Sequence, residues 1–476
     1  MSSAETKLKE VRVRIAPSPT GFLHMGTARA ALFNYLFAKN NGGKFILRIE
    51  DTDLERSDKK FEKDIIDGLK WLDIVWDEGP FRQSDRIETY TKHLKKLLEE
   101  NKAYYCFCSE EELEAVRQDQ LSRGVAPKYN GKCQNLSQEE VKKRLNQGEP
   151  SIIRFRTRQE KISFHDSIRG KIEFDSSLIG DFTIAKNLNT PLYNFAVVVD
   201  DFEMKISHVI RGEDHIPNTP KQILIQEALG FPKPQYAHLP LILGPDKSKL
   251  SKRHAAVSVN QYREEGYLPE ALINFMAFLG WNPGTEKEIY SLNSLAQEFS
   301  LDKVQKAGAI FNIKRLDYLN GFYVRQKSLN ELTELCQPYL PEAEKEFLKK
   351  IVGLHQERLK KLSEIKEMAD FFFQDKLYYD KELLRWKETD DEKMAESLDK
   401  LEKLLNEISE RNWARENLEK VLLAEAEKTG DRGLVLWPLR VALTGKKASA
   451  GPIEIAEILG KEKTLTRLKE ARALIR

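Results

Sequence analysis

Cysteine is scarce, with four residues in a chain of 476. A disulfide-held scaffold needs a far higher density, so the fold must be held by its own cores. Long apolar runs are missing too. No stretch reaches the roughly 18 residues that would mark a membrane-crossing helix, and the opening residues, MSSAETKLKEVRV, carry no apolar segment of signal-peptide length. No membrane partner is therefore expected, and the cytoplasm is the expected location. Net charge is nearly absent: 77 Lys and Arg against 75 Asp and Glu leave +2. Bulk charge thus neither favours nor excludes a polyanionic partner, and any such surface must be local. Repeats and low-complexity tracts are missing as well. What is present is ordinary: 41% hydrophobic residues, enough for folded domains without long disorder.

Residues 10–16, EVRVRIA, alternate and are β-branched, which predicts a strand. A Pro/Gly loop follows, then MGTARAALFNYLFAKN, a predicted helix closed by Asn41, Gly42 and Gly43. KFILRIED (44–51) predicts a second strand, so the opening is a βαβ unit with parallel strands. FEKDIIDGLKWLDI and DRIETYTKHLKKLLEENKAY are predicted amphipathic helices. From about residue 105 the texture changes to short strands (PSIIRFRT, KISFHDSI, GKIEFD, FTIAK), which predicts an α+β insertion over 105–190. LYNFAVVVDDFEMKISHVIRGEDH is expected to resume buried strands of the first sheet, and ILIQEALGF to form a helix. The fold class is α/β. A Lys-rich loop lies in 246–328, and 329–476 is expected to be all-α, two small bundles divided near 380.

Two stretches suggest chemistry. In the first, Pro17 and Pro19 stiffen the loop before the helix, and Gly21 lets the backbone approach a ligand. The helix then opens with free N–H groups, which suit an anion. His24 and Thr27 lie three residues apart on one side of its first turn, with Gly26 between them. A nucleoside triphosphate fits such a place; an ordinary βα turn with a capping histidine does too. Neither the dinucleotide nor the Gly-Lys-Ser/Thr phosphate loop occurs here. The second stretch is Lys249-Leu250-Ser251-Lys252-Arg253. Alone it is a solvated basic loop. Paired with the first, its lysines can stabilise charge that develops on phosphoryl oxygens and departing pyrophosphate.

At this pair the chain resembles a known family. His24-Met25-Gly26-Thr27 is similar to the HIGH signature of class I aminoacyl-tRNA synthetases, and Lys249 to Arg253 to their KMSKS signature. RIAPSPTGFLHMGTARAALFNYLFA, FILRIEDTD, VIRGEDH, YREEGYLPEALINFMAFLGW and GLVLWPLRVALTG resemble bacterial glutamyl-tRNA synthetases over essentially the whole chain. The resemblance implies a Rossmann-type parallel-sheet catalytic domain (1–104 and 191–245), an inserted acceptor-binding domain (105–190), a stem-contact region (246–328) and an anticodon-binding module (329–476). It implies a monomer that activates L-glutamate with ATP and Mg²⁺ and transfers it to tRNA(Glu). Arg14 and Arg211 then match positions that hold the substrate carboxylates, Glu50 the ammonium, and Ser18 and Tyr193 the pocket wall. Arg14, inward on a buried strand, also demands a partner for its charge. His24, Gly26, Thr27 and Lys252 match ATP-binding positions, with His24, Lys249 and Lys252 the catalytic set. Arg358, in a Lys/Arg-dense stretch, matches a position that favours glutamate-type anticodons. A form that also charges tRNA(Gln), and a catalytically dead tRNA-binding protein, are the alternatives.

Cys106, Cys108 and Cys133 cluster at a spacing that can chelate zinc. Some members of the resembled family carry zinc here, with a histidine where this chain has Asn135. Tyr129 matches a tyrosine ligand of a shorter relative. Zinc bound by Cys106, Cys108, Tyr129 and Cys133, or a zinc-less remnant held by packing, are both open on the residues alone.

Overall fold

The computed structural model describes residues 10–53, 55–251 and 258–475. The first strand, β1 (Arg12–Ile15), buries Val13 and Ile15 on one face, with Arg14 also inside. It feeds α1 (Met25–Asn40), whose N-terminus is capped by His24. Ten of the sixteen α1 residues are buried, which is why half of its residues are Ala, Leu or Phe. β2 (Lys44–Ile49) lies parallel to β1 in the register Arg14↔Ile46. After α2 (Lys59–Trp71), β3 (Glu78–Arg82) adds a third parallel strand. This strand is missed from sequence because Pro80 interrupts it. Its place at the edge of the sheet is where a strand tolerates proline.

The chain continues through α3 (Ile87–Glu99), β4 (Ala103–Cys106), α4 (Glu110–Ser122), α5 (Gln138–Asn146) and β5 (Ile152–Phe155). The hairpin β6 (Lys161–Asp166) and β7 (Gly170–Asp175) follows, then β8 (Phe182–Asn187) and β9 (Thr190–Pro191). Next come α6 (Tyr193–Glu203), β10 (His208–Gly212), α7 (Thr219–Leu229) and β11 (Gln235–Leu239). β4, β5, β8 and β9 make their own antiparallel sheet. The hairpin does not. β6 runs parallel to β11 through the pair Tyr236↔Asp166, so the order β10-β11-β6-β7 extends the parallel sheet. Part of the stretch expected as an insertion, 105–190, thus joins the parallel sheet.

One expectation is corrected. LYNFAVVVDDFE was expected as a strand and is the helix α6. Phe195 through Val199 are buried without a break, and a short apolar run carries no period that tells a buried helix from a buried strand.

β1 and β10 meet where the two parallel sheets adjoin. Ser207 N donates to Arg12 O at 2.9 Å, and Asn34 of α1 donates to Ile210 O at 3.0 Å. From this line the chain leaves β1 toward β2 on one side and β10 toward β11 on the other. Such a reversal opens a crevice at the carboxyl ends of the strands.

The described residues divide into two compact units. One runs to Arg263 and includes Pro269–Leu316; the other comprises Glu264–Leu268 and Asp317 onward. The second is helical throughout, with long helices at Asp391–Asn406, Arg415–Thr429, Gly433–Thr444 and Pro452–Ala473. Its core includes Leu398, Leu401 and Leu405, spaced three and four apart as one helix face requires. Among the described residues no helix is long and apolar enough to cross a membrane.

Candidate active site

The crevice holds a cavity of about 670 Å³. Arg14, Ser18, His24, Gly26, Thr27, Glu50, Tyr193, Arg211 and Lys249 all line it. Lys252 lies outside the described residues.

One end is a network of buried charge. Arg14 donates through Nε and Nη2 to Asp201 at 3.1 and 3.3 Å, the partner that its burial demanded. Arg48, fully buried, donates to Asp201 Oδ1 at 2.8 Å and to Glu50 Oε1 at 3.1 Å. Burial pushes the Glu50 carboxyl up, against the pull of Arg48 and Arg14. A cationic ligand group would restore its charged form. Asp200 binds Arg86 Nε at 2.7 Å and lies 3.7 Å from Arg48 Nε.

Arg211 is different. It is 7% exposed, and its Nη1 has no partner among the described residues. Its Nε and Nη2 go to His238 and Thr219, both neutral acceptors, at 3.3 and 2.9 Å. Among the charged groups that line the cavity, Arg14, Arg29, Arg211 and Lys249 outnumber Glu50 and Asp214, a balance that suits an anionic ligand. Tyr193 stands among these groups, and its hydroxyl lies 3.0 Å from His215 Nδ1. Burial, then Arg211, pushes the His215 imidazole down to about 4, so it adds no charge at neutral pH.

The other end is made of backbone and mobile-headed side chains. His24 Nδ1 accepts from the Gly26 N–H at 3.0 Å. Burial and then Lys249 push the imidazole below its usual range. The neutral ring accepting at Nδ1 carries its proton on Nε2, an assignment made from this hydrogen bond. Lys249 is exposed, with Nζ 3.4 Å from Asp214 Oδ2.

Two family models match the chain: the catalytic domain of class I tRNA synthetases (E and Q) over residues 10–318, and an anticodon binding domain over 331–472. The chain belongs to the class I tRNA synthetases of the glutamate and glutamine group. The synthetase is 49% identical to glutamate–tRNA ligase 1 of Caldicellulosiruptor saccharolyticus, over 97% of this chain and 98% of the relative. It is 46% identical to glutamate–tRNA ligase 2 of Thermoanaerobacter pseudethanolicus, over 98% of each. A crystal structure of a glutamate tRNA ligase from Elizabethkingia meningosepticum in complex with its amino acid is similar, with a TM-score of 0.88 and 36% identity. That match covers 98% of the synthetase and all of that chain.

Elsewhere in the synthetase, the sulfurs of Cys106, Cys108 and Cys133 lie within 4.8 Å of one another. Tyr129 Oη is 3.4 and 3.5 Å from Cys106 and Cys108 Sγ. Three thiols and one phenol oxygen therefore converge, while Asn135 is exposed. In the helical unit, Arg358 lies in the turn after the helix Lys345–His355 and donates to Ser449 O at 2.7 Å. It is near enough to Arg440 to help burial lower that guanidinium.

Several site residues have no local signature in the sequence. Asp201 and Arg48 sit in strings that read as strand, and only the fold sets them beside Arg14. His238, in YAHLPL, offers nothing at all. His215 could have been singled out from VIRGEDH, since a histidine among acids beside a buried arginine is an unusual neighbour.

Proposed function

We propose that the protein is a glutamate–tRNA ligase, which activates L-glutamate with ATP to glutamyl-adenylate and transfers the glutamyl group to the 3′ end of tRNA(Glu). The observation that carries this is Arg211, a buried guanidinium that lines a cavity of net positive charge and whose Nη1 has no partner among the described residues. An anionic amino acid suits that guanidinium. In this reading Arg14 and Arg211 hold the two carboxylates, Glu50 holds the ammonium, and Ser18 and Tyr193 complete the wall.

The reacting carboxylate is ionised at neutral pH, so attack on the α-phosphate needs no general base. The new bond joins a carboxylate oxygen to the α-phosphorus; the bond that breaks releases pyrophosphate. The open end of α1 and the Nε2–H of His24 face the phosphates, with Gly26 and Thr27 beside them. Lys249 and Lys252 stabilise the leaving charge. Catalysis is then alignment and charge stabilisation. Mg²⁺ enters with the nucleotide, held by phosphate oxygens and water; among the described residues only the three cysteines form a cluster of metal-ligating groups.

We assign the insertion to the acceptor end of the tRNA, 246–328 to its stem and 329–476 to the anticodon, with Arg358 contributing to anticodon choice. The enzyme is proposed to act as a cytoplasmic monomer, which sedimentation would check. Zinc at Cys106, Cys108, Tyr129 and Cys133 is a second proposal, supported by the convergence of four donors; one equivalent of zinc in purified protein supports it, and none refutes it. Glutamate-dependent ATP–pyrophosphate exchange in the presence of tRNA tests the main reading. An absence of exchange overturns it. Charging tRNA(Glu) and tRNA(Gln) side by side decides whether the enzyme is discriminating.

A further inference from the structure

Behind Arg211 lies a second layer of buried polar groups that no step above uses. Asp166, the last residue of β6, is wholly buried. Its Oδ1 accepts from the backbone N–H groups of Ile168 and Arg169 at 3.0 and 2.8 Å. Its Oδ2 accepts from His238 N at 3.0 Å and from His238 Nδ1 at 2.6 Å. A carboxylate can only accept here, so it holds the proton of His238 on Nδ1. The opposite nitrogen, Nε2, is left as a bare acceptor.

That acceptor meets Arg211 Nε at 3.3 Å. Thr219 Oγ1 takes Nη2 at 2.9 Å and has two acceptors within reach of its single proton, His238 Nε2 at 3.1 Å and His215 O at 3.2 Å. The guanidinium is thus pinned along one edge, and the nitrogen left over, Nη1, belongs to the group that lines the cavity.

We propose that Asp166 and His238 are a positioning pair, which fixes the Arg211 guanidinium for substrate without neutralising it. The choice of histidine has a physical reason. Arg14 is held by the carboxylate of Asp201, which spends much of its charge. A carboxylate behind Arg211 would do the same and compete with the substrate. A neutral imidazole lone pair orients the guanidinium and leaves its full charge facing the cavity. The Asp166 carboxylate is the device that keeps the imidazole in the accepting tautomer. Since Asp166 ends a strand of the insertion, the substrate arginine is aimed by an element outside the continuous catalytic segments.

This inference rests on the reading of Arg211 as a glutamate ligand, so the experiment must separate the two. The full-length protein and four variants are compared in tRNA-dependent ATP–pyrophosphate exchange: Arg211→Ala, Asp166→Asn, His238→Asn and His238→Gln. The KM values for glutamate and ATP and the kcat are measured separately, with melting temperatures to report folding. Asp166→Asn keeps the shape but replaces one accepting oxygen with a donor, so the proton of His238 is no longer secured on Nδ1. His238→Asn keeps a donor for Asp166 and removes the acceptor; His238→Gln restores an acceptor near the Nε2 position. Asp166→Asn and His238→Asn should each raise the glutamate KM roughly 10- to 100-fold, the loss from one misdirected charge-assisted hydrogen bond. The ATP KM should stay within twofold, and His238→Gln should recover part of the loss. If Asp166→Asn fails to fold, the His238→Asn and His238→Gln pair decides alone. Equal shifts in the glutamate and ATP KM, or no recovery by His238→Gln, would overturn the pair's role. If Arg211→Ala leaves the glutamate KM unchanged, the reading of the pocket fails instead; if Arg211→Ala raises it and the other variants do not, only the positioning proposal falls.

Discussion

The two ends of the cavity are built on opposite plans. At the amino-acid end the charges are buried and crowded, and all but Arg211 are paired before any ligand arrives: Arg14 with Asp201, and Arg48 with Asp201 and Glu50. At the nucleotide end the groups are a helix terminus, a half-buried histidine and an exposed lysine. The first plan costs folding energy and gives precision. The second costs little and leaves side chains free to follow a charge that exists only as the reaction proceeds. Stability and chemistry should therefore come apart when the two ends are altered.

The largest effect is expected from Arg48→Leu, which strands Asp201 and Glu50 without their shared cation. Urea denaturation should register a loss of about 3–5 kcal/mol, the cost of breaking a buried pair from one side. A loss below about 1 kcal/mol would mean that the network is not stabilised as its geometry suggests. Arg211→Ala comes next, with a glutamate KM raised by roughly two to three orders of magnitude at unchanged ATP KM. Lys252→Ala should lower kcat about 100-fold and leave both the melting temperature and the glutamate KM in place; full activity in that variant would remove Lys252 from the mechanism. The smallest effect belongs to Gly26→Ala. An added methyl would stand 3.3 Å from His24 Nδ1, so the ring must give way slightly. The ATP KM should rise about fivefold, on the order of 1 kcal/mol, with no change for glutamate.

The same division governs what could be foreseen from sequence. The nucleotide end was legible because its parts are neighbours: Pro17, Pro19, His24, Gly26 and Thr27 lie in one loop and one helical turn. The amino-acid end was legible only through family resemblance at Arg14, Glu50, Tyr193 and Arg211. Of the residues that charge and orient it, Asp201 meets Arg48 and Arg14 across 153 and 187 positions, and His238 meets Asp166 across 72. No local period announces such contacts. The helical last third was readable because its Leu, Glu and Lys repeat at helix spacing, whereas α6 was misread because its Val-rich run has no spacing to read. The parallel joint between β6 and β11 was missed for a related reason: a pairing through one residue pair leaves no pattern in either strand.

That joint has a mechanical consequence. The β6–β7 hairpin is attached to the parallel sheet at Tyr236↔Asp166, with Ser167 N donating to Tyr236 O at 2.8 Å. The Asp166 carboxylate at that joint spans 2.6 Å to His238. Hydrogen bonds this short weaken over a few tenths of an ångström. A displacement of the hairpin would carry Asp166 with it, and Asp166 is tied to His238, which in turn contacts the arginine that lines the cavity. The hairpin is thus joined, through one imidazole, to a charge that lines the cavity.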